Sequence, residues 1–275
     1  MTELSECLAK LIQENSETLQ KFEDWISNQP HIPKNIPRAT LVRFLKVCQF
    51  DLEKAEKLLD TNVKFKIKHQ YLFTKRNINS EEIQKAIKTV QFTGLPKLTK
   101  EGYFIESCRI VSSNLDDFIL KDIFKFFYMI HDMNNVINPD VNGIISIYDA
   151  NGFSFSHFIK LLAQGQTVLH FLQFGQESTC VDVKQIHVVN CSQVVGKLIS
   201  FLKPFLTKEL RDTMHFHPTG FETLHKFIDI ECLPVEYDGC GGLMDDFVEN
   251  TIRKLHKHSE FVGNDENFFL INVKC

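Results

Sequence analysis

The sequence lacks the features that mark several protein classes. No apolar segment is long enough to be a signal-peptide core or a membrane-spanning helix. No basic stripe is present either: 31 Lys and Arg residues are spread along the chain beside 35 Asp and Glu residues, and the net charge is −4. A nucleic-acid-binding protein normally concentrates its basic residues on one face. We therefore expect a cytoplasmic protein that does not bind nucleic acid.

Metal-binding patterns are also missing. The chain has eight cysteines, and none stands in a CxxC pair or at zinc-ligand spacing. His215 and His217 could form half of a metal site, but no third ligand stands out, so histidines held in structural hydrogen bonds explain the pair better. We expect reduced cysteines, as is usual in the cytoplasm, and neither a metal nor a cofactor.

No catalytic motif is complete. The segment Gly152-Phe-Ser154-Phe-Ser156-His157 is similar to a nucleophile elbow, but its fifth position is serine where the tight turn needs glycine. Ser, His and Asp are common residues, so counting them does not exclude a triad. We predict that the chain is not an enzyme, and a hydrolase centred on Ser154 or Ser156 is the least favoured alternative.

Phenylalanine is abundant, with 25 residues against one tryptophan and five tyrosines. Its side chain supplies volume and a flat apolar face, and it carries no polar group that needs a partner. Composition leaves two interpretations open. The chain either has a Phe-rich core, or some of these side chains line a cavity that a hydrophobic ligand fills.

Helical periodicity dominates the first part of the chain, and strands alternate with helices after it. The predicted N-terminal helices are 3–28, 38–47, 52–70 with Asp51 as N-cap, and a helix that Ser80 caps and that runs through Gln91. The predicted strands are 103–111, 143–149 and 186–190, and the predicted later helices include 117–135, 157–173 and 245–257. This order predicts an all-helical N-terminal domain (1–92) and an α/β domain (93–275) with a mostly parallel sheet.

The most informative stretch is 185–242. A short apolar strand around Ile186 is followed by a segment with apolar residues at helical spacing, at positions 194, 195, 198, 199, 201, 202, 205 and 206. That apolar stripe is too wide for an ordinary half-exposed helix, and Pro204 ends or kinks it. A helix of this kind needs apolar material on its inner side, either the protein core or a bound ligand.

The order of these pieces resembles the CRAL-TRIO lipid-binding family, especially the branch that holds the tocopherol transfer and retinaldehyde-binding proteins. The matching residues are Ile186-His187, Asn190, Lys203-Pro204-Phe205-Leu206, His215, His217, Leu224-His225 and Leu233-Pro234-Val-Glu236-Tyr237. The run from Arg43 to Asp51 resembles the helical N-terminal module of the same family. Gly143, Asp149 and Gly152 also fit its pattern, and the resemblance spans roughly residues 22–262.

The resemblance implies a CRAL-TRIO α/β domain whose sheet forms the floor of a hydrophobic cavity, with a mobile gate helix at 192–206. The expected gate residues are Val194, Val195, Leu198, Ile199, Phe201 and Leu202. The expected walls and floor are Ile123, Phe126, Phe127, Ile130, Phe153, Phe155, Phe158, Leu161, Leu162, Ile186 and Val188. Phe126 and Ile130 suggest a dry pocket. Ordinary packing explains Tyr103, Tyr128 and His131 better than a polar contact to a ligand does.

Several positions depart from the family pattern. Family members that transfer phosphatidylinositol have an acidic residue and a lysine where this chain has Val181 and Thr213, which favours a cargo other than a phospholipid. The positions that match the phosphoinositide-reading cluster of the tocopherol branch are Cys48, Asp182, Lys184, Glu209 and Thr213. Only Lys184 is basic, so the resemblance does not support phosphoinositide recognition. The residues predicted to contact membranes are Lys184, Lys203, Lys208 and Arg211. Asp238 replaces a family glycine, and aspartate is among the less costly residues at positive φ.

These observations lead to one prediction and one alternative. We predict a carrier that binds a small hydrophobic molecule, such as a tocopherol, retinoid, carotenoid or similar lipid, and that moves it between membranes by transient contact with their surfaces. The alternative is a regulatory or scaffold protein that uses the same fold to engage a protein partner. Exposed apolar residues outside the gate would favour that alternative.

Overall fold

The computed structural model describes residues 6–138, 141–218 and 220–263. The N-terminal part is helical, as predicted, and its core brings apolar side chains of the first four helices together. The helices are α1 (Glu6–Glu14), α2 (Ser16–Ser27), α3 (Arg38–Val47), α4 (Leu52–Lys68) and α5 (Glu81–Thr89). The Asp51 side chain accepts a hydrogen bond from the Lys54 amide, and the Ser80 side chain accepts one from the Ile83 amide, so both predicted N-caps are confirmed. The single helix predicted over 3–28 is interrupted at Asn15.

The α/β part contains a five-stranded sheet in the order β1-β2-β3-β4-β5. The strands are β1 (Val90–Gly94), β2 (Phe104–Ile110), β3 (Ile144–Asp149), β4 (Val183–Val189) and β5 (Met214–Phe216). β1 is antiparallel to β2, and the other neighbours are parallel. The mostly parallel sheet is therefore confirmed. The prediction that 103–111 is the first strand is wrong, because β1 precedes it, and the predicted boundary between residues 92 and 93 lies within β1.

The later helices are α6 (Leu120–Ile137), α7 (Phe155–Ala163), α8 (Gly165–Glu177), α9 (Gln193–Leu202), α10 (Lys208–Asp212), α11 (Met244–Lys257) and α12 (Ser259–Gly263). The predicted helix 157–173 is thus two helices that meet at Gln164. None of the helices in the described part of the chain combines the length and the hydropathy that crossing a membrane requires.

Each face of the sheet contacts different elements. The face that carries Ile105, Ile147 and Val189 packs against residues of the segment 224–244 and forms one closed core. In that segment Asp238 has φ 52°, a conformation in which aspartate is among the less costly residues. The Tyr237 hydroxyl lies 2.8 Å from Ser107 Oγ and ties the segment to β2. The opposite face, which carries Cys108, packs against a cluster that includes residues of α6, two residues of α8 and one residue each of α7 and α9.

Three histidines, defined here as the histidine cluster, meet on the closed face: His187, His215 and His217. His187 Nδ1 lies 2.9 Å from His217 Nε2, and His187 Nε2 lies 3.0 Å from the side-chain oxygen of Gln185. The His215 and Phe227 rings pack 4.4 Å apart. These contacts explain the histidines as structural residues. Across the described residues, no group of three or more His, Cys, Asp or Glu side chains could hold a metal ion.

The histidine cluster predicts that the protein loses stability in acid. Burial, together with the neighbouring His217 and His215, lowers the pKa of His187 to about 3 from an ordinary value of 6.5. Because the unfolded chain then binds a proton that the folded chain does not, the free energy of unfolding should fall as the pH drops below that ordinary value and should go on falling towards the lowered one. The contribution is about 1.4 kcal/mol per pH unit.

Urea unfolding at about pH 7.5 and about pH 5.5 measures this effect. The His187→Gln variant is the comparison, since glutamine does not titrate. We expect the stability of the wild type to decrease more between the two pH values than that of the variant. Equal decreases would show that His187 does not carry the effect.

Candidate functional site

On the second face of the sheet, the side chains change from polar on β2 and β3 to apolar on β4 and β5. Strand register places Glu106 beside Ser146, Ser146 beside Ile186 and Ile186 beside Met214, so these four side chains form a row across the sheet. The next row on the same face runs Cys108, Tyr148, Val188 and Phe216. Both rows are polar or weakly polar on β2 and β3 and apolar on β4 and β5. We call this surface the floor.

The floor is incompletely covered. Cys108, Tyr148 and Ile186 are partly exposed although their strands have neighbours on both sides. Burial, with a smaller effect of the Glu106 charge, nevertheless raises the pKa of Cys108 to about 12, and burial raises that of Tyr148 as well. The Cys108 end of the floor packs against the same core cluster as apolar residues of α6, α7, α8 and α9.

Aromatic residues of α6 pack on the β1 side of the floor. The Phe127 ring packs 4.6 Å from that of Phe92 on β1, and the Phe124 ring stacks 4.1 Å from that of Phe171 on α8. Phe127, Leu161, Leu172 and Leu202 are partly buried and pack against the same core cluster as the β2 end of the floor. The helices over the floor therefore present apolar side chains to it.

The predicted gate segment is a helix. α9 begins at Gln193, with the Ser192 side chain accepting a hydrogen bond from the Val195 amide, and it ends at Leu202 before a short turn that contains Pro204. It packs against α7 through Phe158 and Phe201, whose rings lie 6.4 Å apart. Val195 is buried, and the other gate residues keep accessible surface. The main contacts of α9 are with α7 and with the turn that follows it.

The outer side of α7 and α9 carries exposed phenylalanine residues. Phe155, Phe201 and Phe205 are 53%, 40% and 44% exposed, and Phe158 connects them by ring contacts of 6.1 Å with Phe155 and 6.4 Å with Phe201. Phe201 and Phe205 lie 6.0 Å apart. We call these four residues the phenylalanine strip. Exposed apolar residues in one continuous group are typical of surfaces that contact a membrane or another protein.

The predicted ligand contacts occupy three kinds of position. Fully packed side chains with almost no accessible surface are Ile123, Phe126, Ile130, Val188 and Val195. Partly buried side chains are Phe127, Phe153, Phe158, Leu161, Leu162, Ile186, Val194, Leu198, Ile199 and Leu202. Exposed side chains are Phe155 and Phe201. The second group has surface available for a ligand, and contact between any of these residues and a ligand stays a prediction.

A buried polar cluster on the floor was not foreseen from the sequence. Glu106 is 2% exposed and accepts a hydrogen bond of 2.7 Å from Ser146 Oγ. Its other carboxylate oxygen lies 3.1 Å from His131 Nε2, within ion-pair distance but without hydrogen-bond alignment. His131 therefore does more than pack, and the dryness of the predicted pocket stays a prediction. The available signal was that Glu106 and Ser146 interrupt apolar strands.

The predicted membrane-contact residues lie on or near the surface. Lys208 and Lys184 form ion pairs with Asp212 at 2.8 Å and Asp182 at 2.6 Å. Arg211 donates hydrogen bonds to the main-chain oxygens of Lys203 and Leu206 at 3.3 and 3.0 Å. The side chain of Lys203 is exposed at the end of α9. Binding of membrane lipids by these residues stays a prediction.

The Ser154 motif is explained by helix capping. The Ser154 side chain accepts a hydrogen bond from the His157 amide, and the His157 side chain contacts the Ser154 amide in return. Ser154 Oγ lies 2.7 Å from His157 Nδ1. Nε2 of His157 is buried, and no side chain of the described residues hydrogen-bonds to it, so no carboxylate completes a triad there.

Comparison with known proteins identifies the family. A model of the CRAL/TRIO domain matches residues 88–239, and a model of the Pinta-like UBA domain matches residues 11–83. The chain belongs to the CRAL/TRIO family. The match confirms both the predicted resemblance and the predicted fold. Proteins of this family bind hydrophobic ligands and act at membranes.

Several curated proteins are similar over most of the chain. The human alpha-tocopherol transfer protein-like (Homo sapiens) is 25% identical over 241 residues, which cover 85% of this chain and 68% of that protein. Clavesin-1 of Xenopus laevis is 25% identical over 243 residues, covering 83% and 70%. Clavesin-2 of Rattus norvegicus is 26% identical over 235 residues, covering 83% and 71%. These levels of identity support the family assignment without indicating a shared ligand.

Among solved structures, the crystal structure of Sfh5 has the same fold. The TM-score is 0.53, and the match covers 92% of this chain and 96% of Sfh5. Sequence identity is 13%, so the likeness concerns the fold alone. It includes the helical N-terminal part as well as the sheet that carries the floor.

Proposed function

We propose that the protein is a non-enzymatic carrier that encloses one small hydrophobic molecule between the floor and α9 and exchanges it at membranes. The observation that supports this proposal is that α9 packs beside α7 on the face of the sheet that carries the partly apolar floor, with the phenylalanine strip along α7, α9 and the turn after α9. A cytoplasmic location follows from the need to move between membranes.

The energetics of such a cargo require a gate. Burial of a hydrocarbon contributes about 0.8 kcal/mol per methylene group, so a cargo of roughly 20 carbons gains on the order of 15 kcal/mol before entropy costs. Release into water would then be very slow. A helix that moves aside at a membrane allows the cargo to pass directly between apolar environments.

The exposed surface of α7 and α9 would also make the contact with the membrane. The phenylalanine strip would enter the apolar layer of the membrane, and Lys203, Lys208, Arg211 and Lys184 would lie near lipid head groups. Each basic residue near an anionic surface adds about 1 kcal/mol of attraction. Since Lys184 and Lys208 already pair with carboxylates, we propose that the apolar residues contribute more than the basic ones.

The proposed cargo is a tocopherol, retinoid, carotenoid or similar lipid without a phosphate. The residues proposed to contact it are the partly exposed side chains of the floor, α7 and α9, among them Ile186, Leu161 and Leu198. Vesicle transfer tests the carrier function. Donor vesicles that contain a fluorescent retinoid are mixed with unlabelled acceptor vesicles, and the protein should increase the transfer rate in proportion to its concentration. No increase with any of the proposed lipid classes would contradict the proposal.

A second candidate function has one observation in its favour. Phe227, Ile230, Val235 and Leu243 are exposed apolar residues in the segment 227–243, outside the gate. They could dock a protein in a regulatory or scaffold role. Capture of a specific partner that the Ile230→Asp variant loses, together with no lipid transfer by the wild type, would favour this alternative.

A further inference from the structure

The turn that follows α9 is tied to α8 by one side chain. Gln176 lies in the last turn of α8, and its Nε2 donates a hydrogen bond of 3.1 Å to the main-chain oxygen of Phe205. Its Oε1 accepts a hydrogen bond of 2.7 Å from the Thr207 amide. One carboxamide therefore bridges the main chain on both sides of Leu206, whose side chain is buried. We call these two hydrogen bonds the Gln176 latch.

The helix that carries Gln176 is firmly packed. Gln176 Nε2 also donates a hydrogen bond of 3.0 Å to the main-chain oxygen of Leu172, which fixes the side chain against its own helix. Phe174 is buried in an aromatic cluster with residues of α4 and α6, and the Phe171 ring stacks 4.1 Å from that of Phe124 on α6. The latch therefore connects the turn after α9 to an element that has its own core contacts.

The other hydrogen bonds of this region are local. Arg211 donates to the main-chain oxygens of Lys203 and Leu206 from α10, the next helix. Thr207 Oγ accepts a hydrogen bond from the Leu210 amide in the same helix. Among the hydrogen bonds that the described residues form with 203–212, those of Gln176 are the ones that reach an element other than α9 and α10. Movement of this end of α9 must break the latch, whereas the bonds of Arg211 can move with the turn.

The opposite end of α9 remains attached to the sheet. α9 begins only a few residues after β4, and the Cys191 amide between them donates a hydrogen bond of 3.0 Å to the main-chain oxygen of His217, directly after β5. A helix that is fixed to the sheet at its first turn and to a neighbouring helix at its last turn can swing when the second attachment breaks. The C-terminal end is therefore the end that can open.

We propose that Gln176 is the positioning residue that holds α9 closed and sets the rate at which the cargo leaves. This inference rests on the proposed carrier function, because it treats α9 as the moving part. Phe205 connects the latch to the phenylalanine strip: its main-chain oxygen accepts from Gln176, and its ring is exposed. Insertion of that ring into a membrane would pull on the latch and couple opening to membrane contact.

Release of a preloaded fluorescent retinoid to acceptor vesicles tests the latch with the Gln176→Met variant. Methionine keeps the length and the helix propensity of glutamine but makes neither hydrogen bond. The release rate should rise about three- to tenfold, the usual effect of lost hydrogen bonds between uncharged groups. Gln173→Met is the matched control, because Gln173 is exposed on the same helix and donates to Glu177 at 3.0 Å. It should release the retinoid at the wild-type rate.

Thr207→Pro removes one hydrogen bond of the latch from the other side. Thr207 has φ −64°, and Leu206 before it is extended, with φ −99° and ψ 132°, so proline fits the main chain. Thr207→Pro should release the retinoid faster than Thr207→Ala, which also lacks the hydroxyl but keeps the amide. Combination of Gln176→Met with Thr207→Pro should have a smaller effect than the two separate effects together, because both variants break the same contact.

Hydrogen exchange followed by mass spectrometry separates a latch from a general effect on stability. In Gln176→Met, peptides from 193–207 should exchange faster, and peptides from β3 and β4 should exchange as in the wild type. Unchanged release by Gln176→Met, equal acceleration by Gln173→Met, or faster exchange throughout the sheet would overturn the inference and leave the carrier function standing. Failure of the wild type to carry the retinoid or any other proposed lipid class would instead contradict the carrier function itself.

Discussion

Replacement of Phe201 by aspartate should slow cargo transfer between vesicles at least tenfold and leave the fold intact. Phe201 is 40% exposed, so an aspartate there stays hydrated in the free protein. At a membrane the variant loses about 1.5–3 kcal/mol of apolar burial and adds a charge whose insertion costs up to about 3 kcal/mol. Transfer of a fluorescent retinoid, with circular dichroism to verify folding, measures the effect.

The matched control is Leu243→Asp. Leu243 is 51% exposed and immediately precedes α11, where an aspartate suits the helix N-terminus. It belongs to the exposed apolar segment outside the gate, so its replacement should leave the transfer rate unchanged. Equal slowing by both variants would mean that α9 has no special role. Unchanged transfer by Phe201→Asp would contradict the gate assignment.

Replacement of Gly239 by alanine should destabilise the protein by about 3 kcal/mol. A Cβ atom at this position would lie 2.2 Å from the main-chain oxygen of Leu233, and no side-chain rotation can relieve that contact. The Gly239 amide donates a hydrogen bond to the Pro234 oxygen at 3.0 Å, which holds the segment in place. Gly239 belongs to the segment 224–244, which packs against the face of the sheet opposite the floor.

Gly175→Ala is the appropriate control for that experiment. Gly175 lies within α8, and a Cβ atom there would meet nothing within 4 Å. Alanine is favoured over glycine in a helix by about 0.5–1 kcal/mol, so this variant should be more stable than the wild type. Urea unfolding of both variants gives the comparison. A Gly239→Ala protein as stable as the wild type would show that the close approach of Gly239 to the main chain of Leu233 is not required.

Local signals gave most of the fold. The N-caps at Asp51 and Ser80 depend only on residues next to each helix. The wide apolar stripe of α9 can be recognised within one short segment of sequence. β1 escaped prediction because it is short and follows α5 directly, without a turn residue to separate them. The interruption at Gln164 likewise has no Gly-Pro or Asn-Gly signal before it.

The buried polar cluster of Glu106, Ser146 and His131 could not be predicted from local patterns. Glu106 and Ser146 are 40 residues apart in the chain and become neighbours only through parallel pairing of β2 with β3. His131 contacts Glu106 from α6. In that helix the apolar residues at helical spacing are a stronger sequence signal than a single histidine. Only the strand register shows that Glu106 and Ser146 share one face of the sheet.

The most direct test of the carrier function is mass spectrometry of the organic extract from protein purified from its native source. The account predicts one hydrophobic molecule without a phosphate, at close to one per chain. An empty protein, or a mixture of cellular lipids at low occupancy, would contradict the proposal of a dedicated carrier.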